Sequence, residues 1–381
     1  MSKTLGAVVI GAGYAGEGHA RALQHWGVTV AAICARQPDV VHAVAARLGV
    51  PDASTDWRAT LERVRPEIVA LATPASLRAE VIEQAAALGS HLYCDKPLAT
   101  TAPEARRLFE VVRQAGVKHA YAATYRYDPR VAWLAELVQS GAIGAVREVV
   151  LTNRLDPFPP HSPWSWASVL AHGGGWLNNQ LPHWLGVLTT ILGAEPARVA
   201  GRAWPTRLQA PVVPGIHDFR EWRARVRELS RADVAGLEWR PCDADGACSV
   251  LVDFAGPGGT VPFTCLTGPG VGVAEETDGL RLYGEDATLV ASGPPASVQV
   301  TIARVAAGQE PEPLPVPSRL LEHLPPVGTG TMQLWATLAR DFVADVRGEP
   351  HTPYLTFRDG WRYQEAIDAV RSGAGWQTLP E

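Results

Sequence analysis

The chain has 381 residues, enough for two domains that each bury a hydrophobic core. Hydrophobic residues make up 46% of it and charged residues 19%, as in an ordinary globular protein, and the net charge of −5 argues against nucleic acid as a partner. The apolar run at residues 5–10 is too short to cross a membrane and lacks the character of a signal peptide. We therefore expect a cytoplasmic protein without a membrane partner, whose five irregularly spaced cysteines are free thiols.

Residues 1–125 alternate short apolar runs with amphipathic segments, which is the pattern of successive strand–helix units on a parallel sheet. The predicted strands are Ala7–Ile10, Val28–Ile33, Ile68–Ala72, His91–Cys94 and Lys118–Ala122. The predicted helices lie near residues 15–26, 38–48, 77–89 and 102–115. This pattern predicts an α/β fold whose N-terminal domain, residues 1–125, is a Rossmann domain with a doubly wound parallel sheet.

The loop between the first strand and the first helix contains Gly11, Gly13 and Gly16. Gly11 permits a tight turn, Gly13 lets the backbone approach a pyrophosphate, and Gly16 allows the helix to pack closely on the strand. Because the loop follows a buried strand and opens a helix, it indicates a dinucleotide site rather than a glycine turn without a ligand. The cofactor-binding residues that we assign here are Gly11, Gly13, Tyr14, Ala15 and Gly16.

The end of the second strand, at Ala35 and Arg36, should contact the adenosine ribose of the dinucleotide. An acid there would bind the 2′-hydroxyl, but residues 33–38 at the end of this strand contain no acid, and the next one is Asp39. Arg36 could pair with a 2′-phosphate or stack on the adenine, or it could simply be solvated. The sequence therefore favours NADP slightly over NAD as the cofactor, without excluding NAD.

Lys96 is one of only three lysines in the chain, with Lys3 and Lys118, among 34 basic residues. A chain this rich in arginine retains lysine chiefly where an amine must release and take back a proton, which arginine cannot do. Lys96 follows the predicted strand His91–Cys94 with only Asp95 between them, and the carboxyl ends of parallel strands are where α/β enzymes place reacting groups. The alternative is an ordinary surface lysine in a loop.

Residues 126–355 read as a second domain of α and β structure, for substrate binding and oligomerisation. Its predicted strands are Val146–Asn153, Ala197–Trp204, Cys248–Phe254, Thr260–Leu266, Gly279–Tyr283, Thr288–Ala291 and Ser297–Ala303. Residues 205–245 indicate a helical insertion that forms a substrate lid, an oligomer contact or a solvated surface helix. We predict helices at Thr331–Val346 and Asp359–Arg371, and expect residues 356–381 to pack back on the first domain.

Five segments, in order along the chain, resemble the glucose-fructose oxidoreductase/inositol dehydrogenase/MocA family. They are Gly11–Gly16, Ala72–Pro74, Cys94–Pro97, Tyr125–Pro129 and Gly173–His183. The resemblance implies a Rossmann domain followed by an α/β domain with a large, open, mainly antiparallel sheet, in an NAD(P)-dependent oxidoreductase of sugars and cyclitols. It also implies cofactor contacts by Thr73, Pro74, Asp95, Lys96 and Pro97. We further expect a homo-dimer or homo-tetramer.

The Asp-x-x-x-His pair of the family corresponds to Asn179 and His183, so an amide replaces the carboxylate. A spacing of four on a helix places both side chains on one face, within reach of one substrate hydroxyl. Without the carboxylate, Lys96 and His183 should lose their protons more readily. We expect Lys96 to carry the proton during hydride transfer, with His183 and Asn179 assisting. The alternative is a satisfied histidine at position 183 on an apolar helix.

Further contacts to a carbohydrate or polyol substrate are expected from four residues. They are Tyr125, Arg126, Arg154 and Trp166, in addition to Lys96, Asn179 and His183. Aromatic rings suit the apolar face of a sugar ring, although most tryptophans in this segment should belong to the core. His161, His172 and His183 are eleven residues apart, which does not repeat a helical ligand pair, so no metal site is expected.

Three functions are compatible with these residues. The preferred function is an NAD(P)-dependent oxidoreductase that transfers a hydride between nicotinamide and a hydroxyl or keto carbon of a sugar, sugar derivative or cyclitol. A second is an enzyme whose bound nicotinamide oxidises a sugar transiently, which permits elimination or hydrolysis of a glycoside. A third is a non-catalytic sensor that binds a dinucleotide and a sugar, which the amide at Asn179 makes harder to dismiss.

Overall fold

A parallel sheet forms the N-terminal part of the protein, of which the computed structural model describes residues 4–153, 161–216, 218–268, 278–292 and 301–380. Its strands are β1 (Gly6–Ile10), β2 (Thr29–Cys34), β3 (Asp52–Ser54), β4 (Ile68–Leu71), β5 (His91–Asp95) and β6 (His119–Ala122). They pair in parallel in the order β3–β2–β1–β4–β5–β6. The strand order reverses between β1 and β4, and doubly wound sheets bind ligands in the crevice that this reversal opens at the carboxyl ends of the strands.

Helices connect these strands, and four of the five that the structure describes here are predicted by the sequence. The five are α1 (Tyr14–His25), α2 (Pro38–Leu48), α3 (Trp57–Val64), α4 (Ala79–Ala87) and α5 (Ala102–Ala115). A short 3₁₀ turn, Ala75–Leu77, precedes α4, so the helix expected near 77–89 begins two residues later than predicted. The sequence does not predict β3 or α3, because β3 has only three half-buried residues and α3 buries only Thr60 and Leu61.

The two faces of the first sheet face different hydrophobic clusters. Side chains alternate along β1, so Val8 belongs to one cluster and Val9 to the other. The cluster around Val8 continues into the second sheet. The cluster around Val9 includes Trp335 and Phe342, which come from the C-terminal part of the chain. Distant segments therefore complete the core of the first sheet.

The second large sheet lies in the C-terminal part and is mainly antiparallel, as expected. Its strands are β7 (Val146–Asn153), β8 (Glu195–Trp204), β11 (Ala247–Gly256), β12 (Gly259–Thr267), β13 (Gly279–Gly284), β14 (Ala287–Ser292), β15 (Thr301–Ala306), β16 (Glu312–Pro313) and β17 (Gln377–Thr378). Their order is β16–β15–β14–β13–β7–β12–β11–β8–β17, with β7 and β12 parallel. Residues 297–300 of the predicted strand Ser297–Ala303 lie outside the described residues.

The remaining elements are helices and one small hairpin. They are α6 (Pro129–Gln139), α7 (Trp176–Leu192), α8 (Phe219–Glu228), α9 (Ser318–Glu322), α10 (Thr331–Arg347), α11 (Phe357–Ser372) and the hairpin of β9 (Gln209–Pro211) with β10 (Trp239–Pro241). Helix α10 packs on α1, where Trp335 covers Gly18. Helix α11 contacts α5, because Trp361 stacks on Phe109, and the guanidinium of Arg362 binds the carbonyl of Pro196 in β8.

Two properties of the chain are visible at this level. All five cysteines are buried free thiols, as the irregular spacing predicts. Within the described ranges, no helix has both the length and the apolar character needed to span a bilayer.

Candidate active site

Three glycines shape the loop between β1 and α1. Gly11 has a φ of 117°, and a Cβ atom there would lie 2.7 Å from the carbonyl oxygen of Ala72. A Cβ atom on Gly16 would lie 1.8 Å from the carbonyl oxygen of Gly11, so only glycine lets α1 begin this close to β1. On Gly13, by contrast, the nearest described atom would be 4.0 Å away, on Asp218. Packing explains Gly11 and Gly16, whereas Gly13 leaves room for a ligand.

The start of α1 suits the pyrophosphate of a dinucleotide. Gly13 is the N-cap residue, and no described side chain caps the helix. The first backbone N–H groups, beginning with those of Tyr14 and Ala15, are therefore available to an anion at the positive end of the helix dipole. The ring of Tyr14 packs on Trp335, with 5.2 Å between the ring centroids. The loop thus has both the space and the donors that the sequence predicts.

Two buried hydroxyl groups lie along the carboxyl edge of the first sheet. Thr73 follows β4 and precedes Pro74, the N-cap residue of the 3₁₀ turn, and Thr124 follows β6. Among the described residues, the Oγ1 atom of neither threonine has a hydrogen-bond partner. A buried hydroxyl without a partner costs free energy, so these two atoms fit a polar molecule bound across this edge.

Ala35 and Arg36 follow β2 at the same edge. The N–H of Ala35 donates to the carbonyl oxygen of Ser54 at 3.1 Å, which fixes the backbone there. The side chain of Arg36 is exposed. This position suits a contact to the adenosine end of a dinucleotide whose pyrophosphate lies at Gly13.

Lys96 follows β5 and reaches α7. Its Nζ donates a hydrogen bond to Oδ1 of Asn179 at 3.1 Å, and its backbone N–H donates to Oδ1 of Asp95 at 3.0 Å. The next residue, Pro97, is buried. Burial lowers the pKa of Lys96, while the Asp95 carboxylate raises it and the Arg78 guanidinium lowers it, with a net downward shift. The neutral amine is therefore easier to form here than on a solvated lysine.

Asn179 and His183 lie one turn apart on α7. The Nδ2 of Asn179 donates to the carbonyl oxygen of Gly175 at 2.8 Å, which directs Oδ1 to Lys96. The buried ring of His183 stacks on Tyr125, with centroids 3.8 Å apart and an angle of 13° between the rings. Burial lowers the pKa of His183, and the positive charge of Lys96 lowers it further, so the ring is neutral near pH 7.

The acceptor role of His183 Nδ1 determines where the ring carries its proton. The backbone N–H of Tyr125 donates to Nδ1 over a long distance of 3.5 Å. In the neutral ring, the proton is then on Nε2, which can donate to a substrate oxygen. Burial raises the pKa of the Tyr125 phenol, and the side chain of Gln180, the residue that follows Asn179, lowers it. Sequence reasoning did not identify Gln180, although its position next to Asn179 is a signal.

The other predicted substrate residues are placed differently. Arg126 lies on the same 3₁₀ turn as Tyr125, with its guanidinium 5.8 Å from the ring centroid of Tyr127. Trp166 lies on a separate turn, Trp166–Ser168, and is 40% exposed; none of its described contacts is with Lys96, Asn179 or His183. Arg154 lies outside the described residues. Among the residues that the structure describes, no group of three His, Cys, Asp or Glu side chains could hold a metal ion.

Arg78 is a second residue near this site that sequence reasoning did not identify. Its side chain is only 2% exposed, and it donates hydrogen bonds to backbone carbonyl oxygens of the loops after β4 and β5. An arginine between a turn and a helix looks like a surface residue in the sequence, and no local pattern there indicates burial. Only the packed structure reveals this position.

The insertion at 205–245 covers the glycine loop. Helix α8 begins beside Gly13, and its Phe219 ring lies 6.0 Å from that of Tyr14. Arg220 of α8 donates to the Glu17 carboxylate of α1 at 2.9 Å. The indole N–H of Trp222 donates to the carbonyl oxygen of Pro163 at 2.8 Å. The predicted insertion helix is therefore present, and it contacts the start of α1.

Known proteins resemble this chain in both halves. The family model described as "Oxidoreductase family, NAD-binding Rossmann fold" matches residues 5–123, and the model of the GFO/IDH/MocA C-terminal domain matches residues 131–290. Levoglucosan dehydrogenase of Pseudarthrobacter phenanthrenivorans is 33% identical over 135 residues, which is 35% of each chain. Inositol 2-dehydrogenase of Rhizobium meliloti is 26% identical over 196 residues, covering 51% of this chain and 57% of the relative.

Solved structures extend the likeness to the whole fold. A levoglucosan dehydrogenase in complex with NADH superposes with a TM-score of 0.78 at 22% identity, covering 100% of both chains. An oxidoreductase domain protein from Kribbella flavida gives a TM-score of 0.77 at 24% identity. The sequence alignments cover less of the relatives. They span 35% of the length of the Pseudarthrobacter levoglucosan dehydrogenase and 57% of the length of the Rhizobium inositol 2-dehydrogenase. On the two family models, which together span most of the chain, the protein belongs to the glucose-fructose oxidoreductase/inositol dehydrogenase/MocA family of oxidoreductases, with its NAD-binding Rossmann fold at the N-terminus.

Proposed function

We propose that the protein is an NAD(P)-dependent oxidoreductase that transfers a hydride between nicotinamide and a hydroxyl or keto carbon of a sugar, sugar derivative or cyclitol. The observation that carries the proposal is the 3.1 Å contact between Lys96 Nζ and Asn179 Oδ1 at the carboxyl edge of the sheet that bears the glycine loop. The names of the relatives, levoglucosan dehydrogenase and inositol 2-dehydrogenase, support the substrate class.

The dinucleotide would lie along the carboxyl edge of the first sheet. The residues that would hold it are Gly11, Gly13, Tyr14, Ala15, Gly16, Ala35, Arg36, Thr73, Pro74, Asp95, Lys96 and Pro97. When bound, its nicotinamide supplies the hydride acceptor for oxidation or the hydride donor for reduction. Arg36 is exposed and residues 33–38 at the end of the second strand contain no acid, which favours NADP slightly over NAD without excluding NAD.

Lys96 is the proton carrier in this proposal. In oxidation, the neutral amine accepts the proton of the substrate hydroxyl; in reduction, the ammonium donates a proton to the oxygen of the carbonyl. Burial lowers the pKa of Lys96, which favours a mixture of both forms closer to neutral pH. Asn179 Oδ1 accepts a hydrogen bond from Nζ and so aims the amine without adding a charge.

His183 and Tyr125 would orient the substrate. The neutral ring of His183 carries its proton on Nε2, so it can donate a hydrogen bond to the same hydroxyl oxygen that Lys96 deprotonates. The stacked ring of Tyr125 limits the rotation of the imidazole. Arg126, and Arg154 and Trp166 as the sequence predicts, would contact the remaining hydroxyl groups or the apolar face of the ring.

A second candidate function is transient oxidation of a glycoside with a retained cofactor, followed by elimination or hydrolysis. The position of α8 over the glycine loop favours it, because a covered dinucleotide would leave slowly. The two functions differ in stoichiometry: a dehydrogenase changes the redox state of free cofactor in proportion to product, whereas transient oxidation forms product without a net change.

The test is turnover with NAD and with NADP over a panel of sugars, anhydrosugars and inositols, with cofactor absorbance and product measured together. We expect net reduction of cofactor with at least one polyol. Product without net cofactor change would favour the second candidate, and tight cofactor binding without any product would indicate the non-catalytic sensor.

Lys96→Met should lower turnover by about 10²–10⁴-fold, the usual contribution of a general acid–base group, because methionine carries no proton. Dinucleotide affinity, measured by fluorescence titration, should stay within a few fold. The matched control is Lys118→Met, because Lys118 immediately precedes β6, at the amino end of that strand, and pairs with Asp345. Retained turnover in Lys96→Met would contradict the role of Lys96.

We also infer a homo-dimer or homo-tetramer, and a cytoplasmic location. The second sheet exposes apolar side chains on its outer face, with Leu251 at 40% and Tyr283 at 37% exposure, which supports association of subunits through this face. A monomer in light scattering would contradict the inference.

A further inference from the structure

Arg78 joins the two loops that carry the candidate catalytic and cofactor residues. Its Nε and Nη2 atoms donate to the carbonyl oxygen of Thr73, at 2.9 and 2.6 Å. Its Nη1 donates to the carbonyl oxygens of Asp95 and Pro97, which flank Lys96. One guanidinium group therefore bridges the segment after β4 and the segment that runs from the last residue of β5 to Pro97.

A buried arginine in this setting is costly for stability. The side chain is 2% exposed, and in the described part of the chain no carboxylate forms an ion pair with it. Removing a cation from water without an ion pair carries a large desolvation penalty, which the carbonyl acceptors offset in part. An apolar side chain would fill the same volume without this penalty. Stability alone therefore does not explain why position 78 is an arginine.

The geometry of the guanidinium supplies one reason. Its planar fork carries five N–H donors, enough to bind both loops at once in a single arrangement. A lysine would keep the charge, but its flexible chain and compact ammonium cannot span the same three carbonyl groups in a fixed plane. The position of Lys96 relative to Asn179, and of Thr73 relative to the glycine loop, then depends on the fork of Arg78.

We propose that Arg78 is a positioning residue for the proposed reaction: it fixes the loop after β5 so that Lys96 Nζ meets Asn179, and it fixes the loop after β4 at the cofactor site. This inference rests on the proposed function for its catalytic consequence. Its structural part, the arrangement and charge state of Lys96, does not depend on the substrate.

Among the described residues, three titratable or charged groups face Lys96 from the elements around it. Asp95 comes from β5, His183 from α7 and Arg78 from the turn before α4. Burial and the charge of Arg78 lower the pKa of Lys96, whereas Asp95 raises it. Removing the charge of Arg78 should therefore raise the pKa of Lys96, because one of the repulsive cations is lost.

The test compares Arg78→Gln with Arg78→Lys by competitive labelling of amines against pH, followed by mass spectrometry of the lysine peptides. The chain has only Lys3, Lys96 and Lys118, so each labelled peptide is assigned without ambiguity. Lys118 is the internal reference, because it precedes the amino end of β6, whereas Lys96 follows the carboxyl end of β5. Arg107→Gln is the matched control, since Arg107 is a half-exposed surface arginine that pairs with Glu83.

Arg78→Gln should shift the titration of Lys96 upward, while Lys118 stays unchanged. Arg78→Lys should leave the titration of Lys96 close to that of the unsubstituted protein, because the charge is retained. Both variants should lower kcat by about 10²-fold, since a misplacement of about 1 Å has that effect on a reacting group. Both should also bind the dinucleotide more weakly. Arg107→Gln should match the unsubstituted protein in every measurement.

Two results would overturn the inference: wild-type kcat and dinucleotide affinity in Arg78→Lys, or an unchanged titration of Lys96 in folded Arg78→Gln. If Arg78→Gln does not fold, as thermal unfolding would reveal, Arg78→Lys decides the matter. Labelling and dinucleotide binding require no substrate. A failure of the polyol panel, with the expected labelling shifts present, would therefore sink the proposed function and leave the positioning role of Arg78 intact.

Discussion

The contact between Lys96 and Asn179 joins residues that are 83 positions apart in the chain. A carboxylate at position 179 would stabilise the ammonium form of Lys96, whereas the amide accepts the hydrogen bond without a charge. Burial lowers the pKa of Lys96, and among the described residues the Asp95 carboxylate opposes this shift. The amide replaces the carboxylate that the family resemblance implies, and Asn179 and His183 lie one turn apart on the same helix.

Asn179→Asp should move the acidic limb of the pH–rate profile for oxidation to higher pH. The new carboxylate would pair with the ammonium of Lys96 and raise its pKa, so that a higher pH is needed to form the neutral amine that accepts the proton in the proposed reaction. The measurement is kcat/KM against pH with one polyol substrate.

Asn179→Ser separates the charge from the loss of the amide contact. Its profile should lie near that of the unsubstituted protein in pH, although its rate falls, because serine adds no charge. If Asn179→Asp leaves the pH–rate profile unchanged, Asn179 does not act on Lys96, the proposed proton carrier.

At the scale of elements, the insertion contacts the start of α1 through its helix α8. Burial alone would raise the pKa of Glu17, but hydrogen bonds from Arg47, Arg21 and Arg220 lower it to about 2. The carboxylate is thus ionised at neutral pH and holds arginines from three helices. The charged sequence of α8 favours a solvated surface helix, yet its first turn lies on the glycine loop.

Arg220→Ala should speed the release of the dinucleotide by about fivefold, equivalent to about 1 kcal/mol, the upper range for a partly exposed ion pair. The reason is that α8 loses its ionic contact to Glu17 and opens more readily over the glycine loop. Stopped-flow fluorescence of the reduced cofactor measures the release rate.

The control for this prediction is Arg225→Ala. Arg225 lies on the same helix, is half-exposed and pairs with Glu228 rather than with α1. Equal release rates for the two variants would argue that α8 does not cover the cofactor.

At the scale of the whole molecule, buried histidines couple stability to pH. Burial lowers the pKa of His19 and of His119 to about 4, from 6.5. Between about pH 4 and pH 6.5, these two histidines bind protons in the unfolded chain but not in the native protein. The free energy of unfolding should therefore fall as the pH is lowered from 6.5 to 4, by up to about 1.4 kcal/mol per pH unit for each histidine, and should level off below pH 4 for these groups.

His19→Phe should reduce this slope by the contribution of one proton. His19 packs edge-on against Tyr93 and Trp335, and its two ring nitrogens have no hydrogen-bond partner among the described residues, so phenylalanine keeps the contacts and removes the titration. Urea unfolding at several pH values between 4 and 7 measures the slope. The control is His42→Gln, at an exposed position; a slope equal in both variants would contradict the prediction.

Most of the first sheet could be predicted from local patterns. Its apolar runs and the glycine loop indicate β1, β2, β4, β5 and β6, because strand periodicity and the steric limits of glycine act between neighbouring residues. The strand β3 could not be predicted, because three half-buried residues carry no period. The strand order of the second sheet, and the contact of α8 with α1, depend on pairings between distant segments.

The sequence by itself determined the family, the dinucleotide loop and the two elements that carry Lys96 and Asn179. These features depend on residue type and short spacing, because the interactions that produce them act between residues close together in the sequence. Only the tertiary structure decided that Lys96 Nζ bonds to Asn179, that His183 stacks on Tyr125 and that Arg78 is buried between two loops. Burial, and the pKa shifts that follow from it, arise from chain segments that lie far apart in the sequence and meet only in the folded protein.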